Sequence, residues 1–167
     1  RLYLHRAPEQ SALATDANLL AEGGTPEQLA EMLVSSAEYF QDRAGGSNAG
    51  FLHVLYNDAL ARDVDANALA AAGNMDFSNA ATRAMVAQTV FGSNEYLTDL
   101  LNLPSPAGNP FHDQLPAGWY PTYLVRPADA ASVAADVASL KSGTPGSEVL
   151  ANLLGSDEYF ARSGQQP

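Results

Sequence analysis

The side chains best suited to chemistry in this sequence are arginine, glutamate and tyrosine, and they recur in a fixed arrangement. A Ser-x-Glu-Tyr segment occurs three times, and an arginine precedes its tyrosine by 33, 34 and 33 residues. The recurring positions are Arg6 with Glu38 and Tyr39, Arg62 with Glu95 and Tyr96, and Arg126 with Glu158 and Tyr159. A carboxylate also stands three residues after each arginine, as Glu9, Asp65 and Asp129. Paired carboxylates can perform general acid–base catalysis, and repeated arginines can bind carboxylate or sulfate groups.

A structural role explains this recurrence better than catalysis does. Catalysis needs one special site, whereas this set of residues occurs three times in the chain. An arginine at the end of a helix is favoured by the negative helix terminus, and it can reach the nearby carboxylate or the glutamate of the closing segment. We therefore interpret these residues as a structural repeat signature with no catalytic residue. The tyrosine is expected in the core, with its hydroxyl at the surface.

Calcium is the metal that so acidic a chain could attract. The formal net charge is −11, and the segment Asp63–Asn67 resembles the start of an EF-hand loop. The resemblance ends at Ala68, where the sharp turn needs glycine, and at Asn74, where a glutamate should close the loop. The three histidines lack the spacing of metal ligands, and cysteine is absent. We predict no bound metal and no cofactor, and a weak calcium contact remains an alternative.

The densest aromatic segment, Trp119–Tyr123, opens the third copy of the repeat. Its position favours a role in the core of that copy. If exposed, Trp119, Tyr120 and Tyr123 would instead form a stacking platform for a sugar or a peptide. A nucleic-acid partner is not expected, because phosphate binding needs a basic surface and the chain has 8 basic against 19 acidic residues.

The elements that position these residues have helical patterns. Leu13, Ala17 and Leu20 follow helical spacing, and Gly23 is a typical residue after a helix end. The segment Thr25–Gln28 has the residue types of a capping box. We predict an all-α fold of three tandem helical repeats, with about three helices each and no sheet. The predicted boundaries are 1–45, 51–101 and 119–164 for the repeats, with linkers at 46–50 and 102–118.

The first and third copies correspond at a constant offset of 120 residues, so that Val133, Val137 and Leu140 match Leu13, Ala17 and Leu20. The first copy lacks a counterpart of Phe51–Leu55 and begins within the pattern of a helix at residues 2–6. We expect this copy to be truncated and the chain to be a piece of a longer protein. The linker 102–118 contains four prolines and is either flexible or an ordered loop pinned by Phe111 and Leu115.

The repeated unit resembles that of a known family. Its pattern is Tyr-Leu-x-Arg-x-Pro, a carboxylate, leucine, glycine with threonine, and Ser-x-Glu-Tyr. In the first copy this pattern is carried by Tyr3–Glu9, Leu13, Gly23, Thr25 and Ser36–Tyr39. This pattern resembles the repeat of the bacterial domain-of-unknown-function family 4214, and it is distantly similar to the helical domain of phycobilisome linker polypeptides. The family usually has glycine before the arginine, where this chain has His5, Ala61 and Val125. The Tyr-Trp pair that the family favours in the second helix is absent.

The resemblance implies a kind of protein and a location, but no activity. Such repeats occur in large secreted or cell-surface bacterial proteins, and no activity is assigned to them. We therefore expect a non-enzymatic, extracellular or cell-surface module that spaces or docks other domains of the same protein or other surface proteins. A carbohydrate- or calcium-binding surface module is the alternative. No apolar run approaches the ~18 residues of a membrane span, so membrane insertion is not expected.

Overall fold

The computed structural model describes residues 3–103 and 117–164, and every regular element within them is helical. The α-helices are α1 (Gln10–Ala21), α2 (Pro26–Val34), α3 (Asn48–Leu60), α4 (Ala66–Ala72), α5 (Ala80–Phe91), α6 (Asn94–Asn102), α7 (Ala130–Lys141), α8 (Gly146–Leu154) and α9 (Asp157–Ser163). Two further segments, Tyr39–Arg43 and Tyr120–Leu124, are π-helical. The predicted all-α class is confirmed for this part of the chain.

The chain divides into two compact units. Unit 1 spans Arg1–Phe91 and contains α1 to α5, whereas unit 2 spans Gly92–Pro167 and contains α6 to α9. The division falls inside the stretch 51–101 that the sequence assigns to the second repeat. Within unit 1, α5 packs against α2 and α3; within unit 2, α6 and α8 pack against α7.

Aromatic rings form the centre of unit 1. Tyr39, Phe51 and Phe77 are fully buried. The Tyr39 and Phe51 ring centroids lie 6.1 Å apart at an interplanar angle of 84°, and those of Phe51 and Phe77 lie 4.9 Å apart. An edge-to-face pair such as Tyr39 with Phe51 contributes about 0.5–1.5 kcal/mol beyond the burial of its area. These contacts join α3, the Tyr39–Arg43 segment and the loop before α5.

The core of unit 2 is smaller and is built around one tyrosine. Its buried members are Leu101, Tyr120, Leu124 and Leu153. Half-buried apolar side chains from α7 and α8, among them Val133 and Val137, pack against this cluster. Helix α7 itself has no fully buried residue, so this packing covers only one side of it.

The ends of the helices follow the residue types that the sequence offers. Thr25 and Gln28 form the predicted capping box at the start of α2. Thr25 Oγ1 accepts a hydrogen bond from the Gln28 backbone N–H at 3.1 Å, and Gln28 Oε1 accepts one from the Thr25 N–H at 2.9 Å. Gly23 and Gly143 follow α1 and α7 with φ of 94° and 95°. A side chain built at either glycine would meet nothing within 4 Å, so their backbone conformation, rather than space, is what requires glycine.

Three predicted features differ from the structure or lie outside it. Residues 3–6, predicted as the end of a helix, form turns. The predicted linker 46–50 includes the first turn of α3, because Ser47 Oγ accepts from the Gly50 N–H at 3.1 Å and starts that helix earlier. Most of the linker 102–118, including Phe111 and Leu115, lies outside the described residues.

Candidate functional site

The recurring arginine and glutamate meet within each unit in the same geometry. In unit 1, Arg6 Nε and Nη2 donate to Glu38 Oε1 and Oε2 at 2.5 and 2.7 Å. In unit 2, Arg126 donates to both oxygens of Glu158 at 2.6 Å. The arginine hydrogen bonds lower the pKa of both glutamates, and they are the largest cause of that shift. A bidentate pair fixes orientation as well as distance, because the planar guanidinium matches the two carboxylate oxygens.

These pairs lie at the surface, with between 31% and 41% of each side chain exposed. Solvent and salt weaken such interactions, so each pair contributes little free energy. The main effect of each pair is on geometry, because it holds together two residues that are 32 positions apart in the sequence. The pair therefore ties the start of the first copy and that of the third copy to their closing segments.

A backbone reversal precedes each of the three arginines. His5, Ala61 and Val125 adopt φ of 49°, 51° and 52°, and among the described residues they are the non-glycine residues with positive φ. Each following arginine then donates to the carbonyl oxygen of the next residue, at 3.1, 3.0 and 2.8 Å. The left-handed conformation is strained for side chains with a Cβ, and a β-branched valine is an outlier there. Glycine would adopt this conformation without that strain.

The serine of each Ser-x-Glu-Tyr segment caps a helical turn. The hydroxyl oxygens of Ser36, Ser93 and Ser156 accept from the backbone N–H of the tyrosine three residues later, at 3.1, 3.1 and 3.2 Å. In units 1 and 2 respectively, Ser36 and Ser156 also donate to the carbonyl oxygens of Leu33 and Leu153 at 2.7 Å. One hydroxyl thus links the end of one helix to the start of the next.

The carboxylates that follow the arginines also start helices. Asp65 Oδ1 accepts from the N–H groups of Asn67 and Ala68, and Asp129 Oδ1 accepts from those of Ala131 and Ser132. Backbone hydrogen bonds are the largest cause of the lowered pKa of both aspartates. Glu9 precedes α1 without a side-chain cap, since its longer side chain is a poorer cap than aspartate.

The loop that resembles the start of a calcium site is occupied by internal contacts. Asp65 caps α4, and Asp63 contacts Nδ1 of His53 and accepts from the Val64 N–H at 2.9 Å. The contact with His53 is the largest cause of the lowered pKa of Asp63. Within residues 3–103 and 117–164, no group of three or more histidine, aspartate or glutamate side chains is placed to hold a metal ion.

The tyrosines of the closing segments have different surroundings. Tyr39 is fully buried, and its hydroxyl donates to Asp58 Oδ2 at 2.9 Å while Arg43 pairs with Asp58 at 3.1 Å. Burial is the largest cause of the raised pKa of Tyr39 and also of the raised pKa of Asp58. Tyr96 and Tyr159 are half-buried, and Glu95 is exposed in the first turn of α6. The expectation of a hydroxyl at the surface does not fit Tyr39.

The aromatic segment of the third copy is largely part of the core of unit 2. Tyr120 is 7% exposed, and Trp119 and Tyr123 are half-buried against the same cluster. Tyr120 donates to Asp136 Oδ2 at 3.0 Å, and the Arg126 guanidinium carbon lies 5.5 Å from its ring centroid. The same stacking occurs in unit 1, where Arg62 lies 5.1 Å from the ring of Tyr56. Tyr120 therefore offers no open face to a sugar.

Arg83 is the one buried charged side chain among the described residues, at 3% exposure. Its guanidinium donates to three backbone carbonyl oxygens: Ser35 at 2.9 Å, Phe77 at 2.6 Å and Ser78 at 2.9 Å. It also lies 5.0 Å from the ring of Phe40. Burial lowers the pKa of Arg83. No residue type in the sequence indicates this role, because every residue carries a backbone carbonyl.

The chain matches no known family profile, no curated protein and no solved structure. No helix in the described part of the chain has both the length and the apolar character that crossing a membrane requires.

Proposed function

We propose that the chain is a non-enzymatic structural or interaction module of a larger secreted or cell-surface bacterial protein. In this proposal, three tandem helical repeats space or dock other domains of the same protein or other surface proteins. Helical repeats suit that role, because they bury their apolar faces on their neighbours and leave a broad surface for contacts.

One observation carries the proposal: the recurring polar groups are engaged in contacts that shape the helices. In both units the arginine binds the closing glutamate, and the serine of the closing segment caps the turn that holds it. Asp65 and Asp129 cap the helices that follow the arginines. Groups that already have internal partners are poorly placed to bind substrate, so their repetition is better explained by folding.

The extracellular setting rests on the sequence. The chain carries a net charge of −11 and resembles a repeat of secreted and surface proteins. A strong acidic charge keeps a surface module soluble and separates it from anionic polymers and membranes.

A ligand titration tests the proposal against the binding alternative. Thermal melts of the full chain are recorded with calcium, with EDTA and with a panel of glycans. A scaffold should shift by no more than ~1 °C under any of these conditions, because only a ligand that binds the native state stabilises it. A saturable, concentration-dependent shift with calcium or one glycan would overturn the proposal in favour of a binding module.

A charge swap tests whether the signature residues serve folding. Arg126→Glu and Glu158→Arg should each lower the melting temperature of unit 2, because each places like charges together. The double variant restores opposite charges at the same positions and should recover part of the loss. Ser147→Ala, at an exposed position of α8, serves as the control. A double variant as unstable as the sum of the two single variants would show that the pair does not act as a folding contact.

A further inference from the structure

Two methionines of unit 1 lie largely in solvent. Met32 on α2 is 53% exposed and Met85 on α5 is 52% exposed, although both side chains are large and apolar. The chain has three methionines, and the third, Met75, is half-buried in the loop before α5. All three belong to unit 1, so every sulfur atom of the chain lies in that unit.

The repeat shows that this exposure is a property of the two positions. Helices α2, α5 and α8 are the corresponding elements of the three copies, and they can be aligned at their last residues. In the other two copies, the positions that match Met32 and Met85 hold polar residues, and all of these are exposed. The matching residues are Thr89 and Asn152 for Met32, and Gln28 and Glu148 for Met85. The two methionines therefore occupy positions that face water throughout the repeat.

A thioether at such a position has a reaction that its polar counterparts lack, because methionine is readily oxidised to the sulfoxide. The sulfur attacks one oxygen of a peroxide, so that an S–O bond forms and the O–O bond breaks. The departing oxygen takes up the proton of the bound oxygen and leaves as water. The sulfur loses two electrons in this step, and the peroxide gains them. A cysteine thiolate would compete for the same oxidant, but the chain contains no cysteine.

We propose that Met32 and Met85 are sites of reversible oxidation by hydrogen peroxide, and that their oxidation changes the surface of unit 1 without changing its fold. The sulfoxide is polar, and the repeat accepts polar side chains at both positions. Two apolar points on the surface of unit 1 become polar, while the buried rings at its centre are not involved. Methionine sulfoxide reductases convert the product back to methionine, so the change can be reversed.

Met75 is the internal comparison, because its surroundings differ. Its backbone carbonyl oxygen accepts from Asn48 Nδ2 at 2.8 Å, and Phe77, two residues later, is fully buried. The half-buried Met75 side chain is thus part of the loop that places a core ring. A polar sulfoxide loses hydration when it is partly buried, so oxidation of Met75 should be slower and should destabilise unit 1.

Treatment of the full chain with hydrogen peroxide at pH 7 tests the order of reaction. Peptide mass spectrometry over time gives the fraction of each methionine that carries an added oxygen. Met32 and Met85 should react at similar rates, and Met75 should react roughly threefold more slowly, because exposure limits the access of the oxidant. In concentrated urea, which is the control, the three rates should be nearly equal. A folded chain in which Met75 reacts as fast as the other two would overturn the proposal.

Melting temperatures test whether the fold is spared. A chain oxidised at Met32 and Met85 should melt within about 2 °C of the untreated chain, because changes at exposed positions have small effects on stability. Met32→Gln and Met85→Gln place a polar side chain of similar length at each position and should behave in the same way. Met75→Gln is the matched variant and should lower the melting temperature of unit 1 further. A large loss from the oxidation, or from either variant at an exposed position, would contradict the proposal.

A double variant and an enzyme complete the test. Met32→Leu with Met85→Leu keeps an apolar side chain at each position but removes the sulfur, so this chain should take up oxygen only at Met75. Methionine sulfoxide reductase should return the oxidised wild type to its original mass at both exposed positions. A double variant that is oxidised as fast as the wild type, or a product that the reductase leaves unchanged, would overturn the proposal.

Discussion

Tyr39 in unit 1 and Tyr159 in unit 2 occupy the same place in the closing segment, yet their surroundings differ. Both follow a capping serine and a glutamate held by an arginine. Tyr39 lies in a π-helical segment and is covered by Phe51 of α3, whereas Tyr159 lies in α9 and is half-buried. The cap and the ion pair are local properties of the segment. The burial of the tyrosine depends on the helix that packs over it.

Removing the two tyrosine rings should give the largest difference between the units. Tyr39→Ala leaves a cavity beside Phe51 and removes a partner of Asp58, so we expect a loss of about 3–5 kcal/mol in the free energy of unfolding of unit 1. Tyr159→Ala should lower that of unit 2 by about 1–2 kcal/mol, because less apolar area leaves the core. Hydrogen exchange of the amides of each unit measures both losses. Similar losses at the two sites would show that the greater burial of Tyr39 does not give it a greater effect on stability.

Removing the serine caps should show what the two segments share. Ser36→Ala and Ser156→Ala each delete the hydroxyl that accepts from a tyrosine N–H, and each should destabilise its unit by about 1 kcal/mol. Urea denaturation followed by hydrogen exchange provides the measurement. Ser11→Ala, an exposed serine within α1, is the matched control and should have almost no effect. A cap effect that is large in unit 1 and absent in unit 2 would mean that burial, and not the local turn, sets its size.

Relieving the strained backbone should stabilise unit 2 by a smaller amount. Val125 has φ of 52° and is 77% exposed, so Val125→Gly removes strain without removing packing. We expect a gain of about 0.5–1 kcal/mol, since the entropy that glycine loses on folding offsets part of the strain. His5→Gly should act in the same direction in unit 1. Ala138→Gly in the exposed part of α7 is the control and should destabilise by about 1 kcal/mol. A Val125→Gly variant less stable than the wild type would contradict the strain argument.

The smallest difference is expected from the exposed ion pairs, and it should disappear in acid. The pKa of Glu38 and that of Glu158 are both lowered in the folded state by the arginine hydrogen bonds. A lowered pKa means that each pair stabilises its unit above the unfolded pKa of about 4.3 and stops doing so as pH falls through the folded value. Glu38→Gln and Glu158→Gln should therefore lower the melting temperature slightly at pH 7 and by less at pH 3. An effect of the same size at both pH values would assign it to lost packing.

The sequence predicts the local parts of this fold well. Spacing of Leu13, Ala17 and Leu20 locates α1, and the residue types Thr25–Gln28 locate the capping box of α2. Both signals depend on residues within one or two helical turns, where periodicity and caps act directly. The start of α3 was missed because Ser47 stands in a glycine-rich stretch that is typical of a linker.

Long-range contacts could not be predicted in the same way. Arg83 binds carbonyl oxygens of residues 5, 6 and 48 positions away, and carbonyls are present in every residue. Asp58 and Asp136 each receive a tyrosine hydroxyl, from residues 19 and 16 positions away. The left-handed conformation before each arginine could not be predicted either, because His5, Ala61 and Val125 are not residue types that favour a positive φ.

The hydrogen bonds of Arg83 affect how the molecule unfolds at low pH. Its three partners are carbonyl oxygens, which do not take up protons over the range in which carboxylates do, and an arginine stays charged there. Acid therefore weakens the exposed ion pairs and the aspartate caps of both units. The hydrogen bonds of Arg83 to the three carbonyl oxygens of unit 1 keep their full strength. The two halves of the chain should lose their structure in sequence rather than together, and the half that contains Arg83 should be the last to open.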